Sequence, residues 1–211
     1  MYVGRIVAVG RTVDGRNAVL YRVSSRSFPN RQAVDLGGTI AIVPREGAED
    51  DVRRSPYIAY NALRTAGDWA IATNGTHTDP ISEKIAVGMP VRDALVLSLH
   101  ALDFEHDALN TPRIAAIVPS AGDEAWLGIV RADALVVRSV TLRPGHASYL
   151  ATYEADDVRP EQSSEFDATS AADAARALVD RGAFAELEKP VTAAAALAGP
   201  GGFTLGTYDV L

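Results

Sequence analysis

The chain has 211 residues, of which 47% are hydrophobic and 22% are charged, a composition typical of a folded globular protein and not of a disordered one. It contains no cysteine, which excludes disulfide scaffolds, thiolate metal sites, iron–sulfur clusters and cysteine nucleophiles within this chain. The formal net charge is −7, and this acidic balance argues against a surface that coats nucleic acid.

Charge is unevenly distributed along the sequence. Residues 154–188 carry ten acidic and three basic side chains, a local balance equal to the −7 of the whole chain. The first 31 residues carry six arginines and a single acid, Asp14. The acidic total therefore leaves room for a small anionic ligand near the N-terminal third.

Short apolar runs separated by turn residues predict strands in the first third of the chain. A polar turn at 12–17 and the pair Gly67-Asp68 each close a predicted hairpin, and the charged stretch 46–54 is expected to be a solvated loop. The strands predicted here are 3–9, 18–24, about 39–43, 57–65 and 69–73.

Two helices are predicted to follow these strands. Asp79 and Pro80 suit the start of a helix, and Gly88 suits its C-terminal end. Pro90 begins a second helix, whose apolar residues recur at helical spacing. The remaining predicted elements are strands at 113–118, 125–130, 135–142 and 148–153 and a helix at about 170–181.

This order of elements predicts one α+β domain over residues 1–211. Two antiparallel sheets packed face to face, with helices outside, fit the order, and so does one sheet with helices on one side. The tail at 190–211 is rich in glycine and alanine. Because its uncharged run 191–208 contains four glycines and Pro200, we expect it to be flexible or to dock on a neighbour, and not to span a membrane.

Location and cofactors are predicted from what the sequence does not contain. The first residues, MYVGR, lack a signal-peptide pattern, so we expect a cytoplasmic protein with no membrane partner. The sequence has no Gly-rich phosphate loop, dinucleotide fingerprint, His-Glu-x-x-His motif or Gly-x-Ser-x-Gly elbow. We therefore expect neither a metal nor a redox cofactor.

Polar side chains cluster in two stretches of the predicted N-terminal strands. Residues 22–31 contain three arginines and three serines, a set that suits a phosphate or carboxylate; a surface loop rich in arginine is the alternative. Residues 56–61 contain Tyr57 and Tyr60, which strand alternation puts on opposite faces. Since a buried tyrosine hydroxyl needs a partner, a purely structural hydrogen bond is the alternative there.

Two further polar stretches flank the predicted helices. Asn74-Gly75 indicates a tight turn that leads into a helix N-terminus, where anions are attracted. His77 has no second ligand at metal spacing, which favours a hydrogen-bonding or surface role. Residues 103–113 place acids at a helix C-terminus, where each costs a few tenths to about 1 kcal/mol. This indicates a required carboxylate there, with a solvated turn as the alternative.

Six segments carry a resemblance to a known family when they are taken together and in order. The segments are GRIVAVGRT at 4–12, YRVSSRSFPNR at 21–31, SPYIAYN at 55–61, TNGTHTDPISEKIAVGM at 73–89, RDALVLSLHALDFEHDALNTPRIAA at 92–116 and LGIV at 127–130. They resemble the archaeal IMP cyclohydrolase family. The resemblance covers about residues 1–153 and leaves the acidic segment 154–188 and the tail 190–211 unassigned.

The resemblance implies a four-layer α-β-β-α sandwich similar to the N-terminal-nucleophile hydrolases. It differs at the start, where Met1 is followed by Tyr2 and not by a Thr, Ser or Cys nucleophile. The family implies the last step of de novo purine synthesis, without metal or organic cofactor: in FAICAR (5-formamidoimidazole-4-carboxamide ribotide) the carboxamide nitrogen attacks the formamido group, and water leaves to give IMP. A homo-oligomer with a nucleotide substrate and no nucleic-acid partner is also implied.

The resemblance and this reaction suggest roles for individual residues. Glu105 is expected to transfer a proton, Tyr60 to donate to the formyl oxygen, and Arg31 to stabilise the negative charge that develops there. The expected substrate-binding and pocket residues are Arg22, Ser24, Ser25, Arg26, Asn30, Asn61, Asn74, His77, Asn110 and Arg113. A non-catalytic purine-nucleotide-binding module and a different small-molecule amidohydrolase remain the alternative functions.

Overall fold

A computed structural model describes residues 1–159 and 161–210 of the chain. Pro160, in the acidic segment, and Leu211, at the end of the tail, lie outside the described residues. The strands are β1 (Ile6–Arg11), β2 (Asn17–Ser24), β3 (Arg31–Asp35), β4 (Thr39–Pro44), β5 (Tyr60–Ala66), β6 (Trp69–Thr73), β7 (Arg113–Pro119), β8 (Glu124–Arg131), β9 (Ala134–Thr141), β10 (His146–Ala151), β11 (Ser163–Glu165), β12 (Pro190–Gly199) and β13 (Gly202–Asp209). The α-helices are α1 (Asp51–Arg54), α2 (Thr78–Ala86), α3 (Val91–Leu102) and α4 (Ala171–Asp180).

The strands form two antiparallel sheets. The first has the order β11-β10-β1-β2-β12-β13, and the second has the order β3-β4-β5-β6-β7-β8-β9. Strands β3 to β9 follow one another in space as they do in sequence, and helices α2 and α3 lie in the connection between β6 and β7. In the first sheet, β12 enters from the far end of the chain and pairs with β2 on one side and β13 on the other.

Strand alternation separates three apolar layers. Val7 and Tyr21 face the other sheet and join the core between the two sheets. Ile6 and Leu20 face outward and pack under α4. On the far side, α2 and α3 cover the seven-stranded sheet through residues such as Ile81 and Leu95. The layers therefore run helix, sheet, sheet, helix, and the predicted α+β sandwich is confirmed.

The expectation of a flexible tail is wrong. Within 190–210, β12 and β13 form a hairpin, and β12 is buried along almost its whole length in the six-stranded sheet. Alanine favours helices in isolation, but here a run of small side chains lets β12 lie between two strands with both faces covered. Ala193 and Ala195 pack toward α4, while Ala194 and Ala196 face the core.

Smaller differences concern where elements begin. The strand expected from residue 57 starts at Tyr60, because Pro56–Ile58 form a single 3-10 turn. The solvated stretch 46–54 contains the one-turn helix α1. Strands β3 and β11 were not predicted, since both are short. None of the described helices is long and apolar enough to cross a membrane.

Helix α4 approaches β13 so closely that glycine is required at one position. A Cβ atom on Gly206 would lie 2.2 Å from the backbone nitrogen of Ala172 and 2.4 Å from the carbonyl carbon of Ala171. Both contacts are with helix backbone, which cannot rotate away as a side chain can. The start of α4 therefore packs directly on the tail hairpin.

We predict that Gly206→Ala lowers the free energy of unfolding by about 1–3 kcal/mol, because the added methyl group must displace the start of α4. Gly201→Ala is the matched control: nothing lies within 4 Å of its added Cβ. Urea unfolding of both variants measures the difference. Equal stability of the two variants would contradict the packing of the tail against α4.

Candidate active site

Three of the predicted site residues begin alternate strands of one sheet. Arg31, Tyr60 and Arg113 are the first residues of β3, β5 and β7. Alternate strands of an antiparallel sheet run in the same direction, so these three strands begin at the same edge. Residues far apart in sequence are thereby brought to one end of the sandwich.

Glu105 lies at this end, in the loop that follows α3, and is 1% exposed. Its Oε2 accepts a hydrogen bond from Nη2 of Arg5 at 3.0 Å, and its Oε1 is 4.0 Å from Nη1 of Arg113. The loop is held by its own backbone, since the amide of Glu105 donates to the carbonyl of Thr111 at 2.8 Å. The carboxylate is therefore fixed between two arginines from different sheets. Arg5 directly precedes β1 in one sheet, and Arg113 is the first residue of β7 in the other.

The environment of Glu105 raises the pKa of its carboxyl group. Burial raises the pKa of the carboxyl above its ordinary 4.5, and the charges of Arg5 and Arg113 oppose that rise. For Arg5, burial is the largest single influence and acts to lower the pKa, but Glu105 and the surrounding tyrosines together outweigh it, so the pKa is raised. The pair thus combines a permanently charged guanidinium with a carboxyl whose proton affinity is increased, as proton-transfer chemistry requires.

Two tyrosines meet between the sheets beside this group. The hydroxyl groups of Tyr21 on β2 and Tyr60 on β5 hydrogen-bond to each other, and their rings are edge to face with centroids 6.3 Å apart. Burial, together with the charge of Tyr60, raises the pKa of Tyr21 well above its ordinary value. The Tyr21 hydroxyl therefore remains protonated at neutral pH.

Arg31 completes the group. It is 2% exposed, and its Nε donates to the carbonyl of Phe28 at 3.0 Å. Burial, and then the charge of Arg5, lower its pKa, while the facing tyrosines Tyr60 and Tyr21 act in the opposite direction. Among the described residues its two Nη groups have no hydrogen-bond partner. A buried guanidinium with donors to spare suits an anionic or carbonyl oxygen.

Asn74 and His77 shape the wall behind Arg113. The side-chain amide of Asn74 accepts from the amide of Ile114 at 2.8 Å and donates to the carbonyl of Pro112 at 2.9 Å, which fixes the start of β7. Nε2 of His77 lies 3.0 Å from the carbonyl of Ile114. The Arg113 guanidinium lies close to the backbone of Gly75, where an added Cβ would be 2.6 Å from Nη1.

Three buried atoms of this region have no hydrogen-bond partner: Oε1 of Glu105, Nε of Arg113 and Nδ1 of His77. Such unpaired polar atoms are costly in a folded core and occur at functional sites. Arg113 also lies over the ring of Tyr57, with its Cζ 5.9 Å from the ring centroid. The unpaired atoms and the neighbouring arginines together mark this end of the sandwich as the place for chemistry.

Arg22 does not join this group. Alternation on β2 turns it to the side opposite Tyr21, and it is fully buried under α4. Its guanidinium donates to Ser24 Oγ at 3.0 Å and to the carbonyls of Leu178, Phe184 and Leu187 at 3.1, 2.9 and 2.6 Å. Burial lowers its pKa to about 10. Arg22 and Ser24 therefore brace the layer beneath α4, and the structure does not bring them together with Glu105.

Asn61 also faces away from the interior. Strand alternation puts it on the helix side of β5, where its side-chain amide donates to both carboxylate oxygens of Asp79 at 3.0 and 3.1 Å. Arg64 binds the same carboxylate at 2.8 Å. These contacts hold the first turn of α2. The predicted strand alternation between Tyr57 and Tyr60 does not apply, because Tyr57 lies in the 3-10 turn and β5 begins only at Tyr60.

The other predicted residues lie in loops near the site. Ser25 accepts from the amide of Phe28 at 2.9 Å and so shapes the loop that leads to Arg31. Arg26 is exposed, pairs with Glu188 at 3.2 Å and lies 4.2 Å above the Tyr2 ring. Asn30 and Asn110 are exposed, and Asn110 adopts a left-handed backbone conformation with φ +48°.

Sequence reasoning missed Arg5, Tyr21 and Tyr153. Arg5 stands before an apolar strand inside the segment GRIVAVGRT, and Tyr21 interrupts the inward-facing positions of β2. The sequence offered two signals: the charge of Arg5 directly before an apolar strand, and the hydroxyl of Tyr21 within a strand that is otherwise largely apolar. The Tyr153 hydroxyl pairs with Thr111 at 3.0 Å, beside the loop of Glu105, and its ring stacks on Tyr2.

Within residues 1–159 and 161–210, no three His, Asp or Glu side chains come together as a metal-ligand set. The polar groups at the end of the sandwich are one carboxylate, three arginines and paired tyrosine hydroxyls. The three arginines outweigh the single carboxylate, so the site carries a net positive charge. Such a set can bind an anionic molecule, transfer protons and stabilise an oxyanion.

Comparison with known proteins agrees with this chemistry. The family described as "IMP cyclohydrolase-like protein" matches residues 2–202. The chain belongs to this family. It is 43% identical over 208 residues to the IMP cyclohydrolase of Methanococcus maripaludis, covering 98% of this chain and 100% of that protein.

Other archaeal members of the family are similarly close. The IMP cyclohydrolase of Methanocella arvoryzae is 47% identical over 210 residues, covering 99% of this chain and 98% of that protein. That of Natronomonas pharaonis is 44% identical over 210 residues and covers 99% of each chain. The predicted family is confirmed, but its predicted extent was too short: the match continues past Tyr153 through the acidic segment and most of the tail.

The buried His77 leads to a prediction on acid stability. Burial, and then the charge of Arg113, lower the pKa of His77 from 6.5 to about 3. The unfolded chain therefore binds a proton that the folded chain does not, so stability is complete above the unfolded value and falls as pH drops from about 6.5 toward about 3. At about pH 5 this one group should cost about 2 kcal/mol relative to neutral pH.

The measurement is the free energy of unfolding in urea at about pH 7.5 and about pH 5. His77→Asn should reduce the loss between the two pH values, whatever its effect at neutral pH. His100→Asn changes an exposed histidine and should leave the loss as in the wild-type chain. An unchanged loss in His77→Asn would show that His77 is not held neutral in the folded state.

Proposed function

We propose that this chain is an IMP cyclohydrolase, which closes the purine ring of FAICAR with loss of water to give IMP. One observation carries the proposal: a carboxylate buried between Arg5 and Arg113 lies at the end of the sandwich where Arg31 and Tyr60 also begin their strands, in a chain that belongs to this family. The substrate class is then a small-molecule purine-ribotide precursor.

In this reaction the protein has two main tasks, which are to stabilise charge on the substrate and to transfer protons. The attacking carboxamide and the formyl group belong to the same molecule, so proximity is supplied by the substrate. The carboxamide nitrogen forms a bond to the formyl carbon, the N–H proton leaves, and the formyl oxygen gains a proton. This oxygen, now a hydroxyl group, takes up one further proton and leaves as water, while the former formamido nitrogen loses its N–H proton and forms the C=N bond that completes the purine ring.

In the proposed reaction Glu105 accepts the carboxamide proton. Its raised pKa makes it a stronger base than an exposed glutamate, and Arg5 holds its other oxygen in place at 3.0 Å. Arg113, 4.0 Å from the carboxylate, contributes positive charge at the same position. Both arginines are positioning residues, because they act through Glu105.

Arg31 and Tyr60 act on the formyl oxygen in this proposal. The Nη groups of Arg31 stabilise the negative charge that develops on that oxygen, and the Tyr60 hydroxyl donates a proton to it. Tyr21, bonded to Tyr60 in the core, orients that hydroxyl and can return a proton to it. The net positive charge of the site also favours a substrate that carries a phosphate.

The remaining expectations of the sequence are kept as parts of this proposal. The chain acts as a single domain and as a homo-oligomer in the cytoplasm, and it uses neither metal nor organic cofactor. Arg26 and Asn30 lie exposed on the loop that leads to Arg31 and are proposed to contact the ribose phosphate. Ser25, Asn74, His77 and Asn110 are proposed to shape the pocket through their loops.

We predict that the purified chain converts FAICAR to IMP in the presence of a chelator. Glu105→Gln and Arg31→Ala should each lower kcat by about a hundredfold or more, because one removes the base and the other removes the charge at the oxyanion. The assay follows IMP formation by its absorbance. Glu124→Gln, an exposed glutamate at the start of β8, is the matched control and should retain full activity.

Four other outcomes separate the alternatives. Turnover that requires added metal contradicts the proposed mechanism. Tight binding of IMP with no cyclisation identifies a nucleotide-binding module, and release of formate from FAICAR identifies an amidohydrolase. A near-wild-type rate in Glu105→Gln or Arg31→Ala removes that residue from the mechanism.

A further inference from the structure

A second cleft opens on the side of the sandwich, between the β9 edge of one sheet and the β10–β11 edge of the other. Its volume is about 380 Å³. Buried apolar side chains from both sheets and from the following loop form its floor, and polar side chains form its rim. The floor consists of Val9, Leu127, Val140, Leu142 and Val158, and the rim of Arg138, Ser139, Thr141, Arg143, His146, Ser148, Arg159 and Ser163.

The lining of this cleft is entirely basic or neutral. Three arginines and one histidine contribute to it, and no Asp or Glu does. This is unexpected in a chain of net charge −7. Two acids of the adjoining loop are paired with arginines: Asp156 binds Arg131 at 3.4 Å, and Asp157 binds Arg159 at 3.3 Å.

Two of the arginines keep donors for a ligand. Arg143 is exposed, and among the described residues its guanidinium has no hydrogen-bond or ion-pair partner. One Nη group of Arg138 donates a hydrogen bond to the carbonyl of Val158, and this bond fixes the Arg138 side chain across the cleft. Ser148 and Ser163 also line the cleft. The rim thus combines guanidinium and hydroxyl donors, as phosphate-binding surfaces do.

The cleft is distinct from the active site. On β1, Val9 lies four residues beyond Arg5, a separation of about 13 Å along an extended strand. None of Arg5, Arg31 and Glu105 lines the cleft. The two sites therefore have no side chain in common.

We propose that this cleft is a second binding site, which takes a phosphorylated small molecule. Its volume lies in the range of small-molecule sites, and the apolar floor with a basic rim fits a ligand that has one flat or apolar part and one phosphate group. The shared chemistry is the phosphate, which can belong to a nucleotide or to an inorganic polyphosphate. Two probes distinguish these sources, AMP for the first and pyrophosphate for the second.

The test is calorimetric titration of each probe into the intact chain. Arg31→Ala, which alters only the active site, should retain binding at the cleft. The double variant Arg138→Gln/Arg143→Gln should weaken it by about tenfold or more, because two charged donors are lost. Arg143→Gln alone, at an exposed residue, covers the case in which the double variant does not fold. Arg92→Gln, an exposed arginine paired with Asp93 outside the cleft, is the matched control.

Binding that the double variant weakens is assigned to the cleft: if that binding is tighter for AMP than for pyrophosphate, the ligand is a nucleotide, and the reverse order assigns an inorganic polyanion. The proposal is overturned if neither probe binds to Arg31→Ala, or if the double variant and Arg143→Gln both bind them as the wild-type chain does. Because binding is measured directly, these results do not depend on whether the chain turns over FAICAR.

Discussion

The carboxylate of Glu105 is almost completely removed from solvent and lies between the guanidinium groups of Arg5 and Arg113. A buried charge without a partner is costly, and removing one partner of such a group costs about 3–5 kcal/mol. Arg5 precedes the first strand of one sheet, and Arg113 begins β7 in the other. The need to compensate this one charge therefore links both sheets and the loop after α3.

The antiparallel order of the seven-stranded sheet supplies the other groups. Strands β3, β5 and β7 begin at the same end of the sheet. Their first residues therefore lie at one end of the sandwich although they are far apart in sequence: Arg31, Tyr60 and Arg113. Tyr21 reaches Tyr60 from the opposite sheet, so the hydroxyl pair spans the core. The chemistry of the site follows from strand direction and side-chain alternation more than from any local motif.

The rest of the chain supports that arrangement from outside. Arg22, buried beneath α4, donates hydrogen bonds to carbonyl groups of the segment 178–188. These bonds connect the acidic segment to β2. The hairpin of β12 and β13 completes the six-stranded sheet on the far side of β2. The region of highest negative charge is thus part of the sandwich and supports the strand that carries Tyr21.

Much of the fold and part of the site could be predicted from the sequence. Periodicity located most strands and α2, α3 and α4. The acids after α3 were noticed because acids at a helix C-terminus are unfavourable, but the choice of Glu105 among them came from the family resemblance. The tail was missed because an alanine run has no strand propensity of its own, and only burial between β2 and β13 makes it a strand. Arg22 and Arg31 look alike in sequence, but Arg22 lies on the helix-facing side of β2 in one sheet, whereas Arg31 begins β3 in the other.

The measurement that tests this account most directly is the pH dependence of kcat for FAICAR cyclisation, in the wild-type chain and in Arg5→Gln. If buried Glu105 is the base, kcat rises with pH, with a midpoint above the ordinary glutamate value of 4.5. The positive charge of Arg5 lowers the pKa of the Glu105 carboxyl. Removing that charge in Arg5→Gln should therefore move the midpoint to still higher pH. A wild-type midpoint at or below 4.5, or the same midpoint in both chains, would contradict the central role of Glu105.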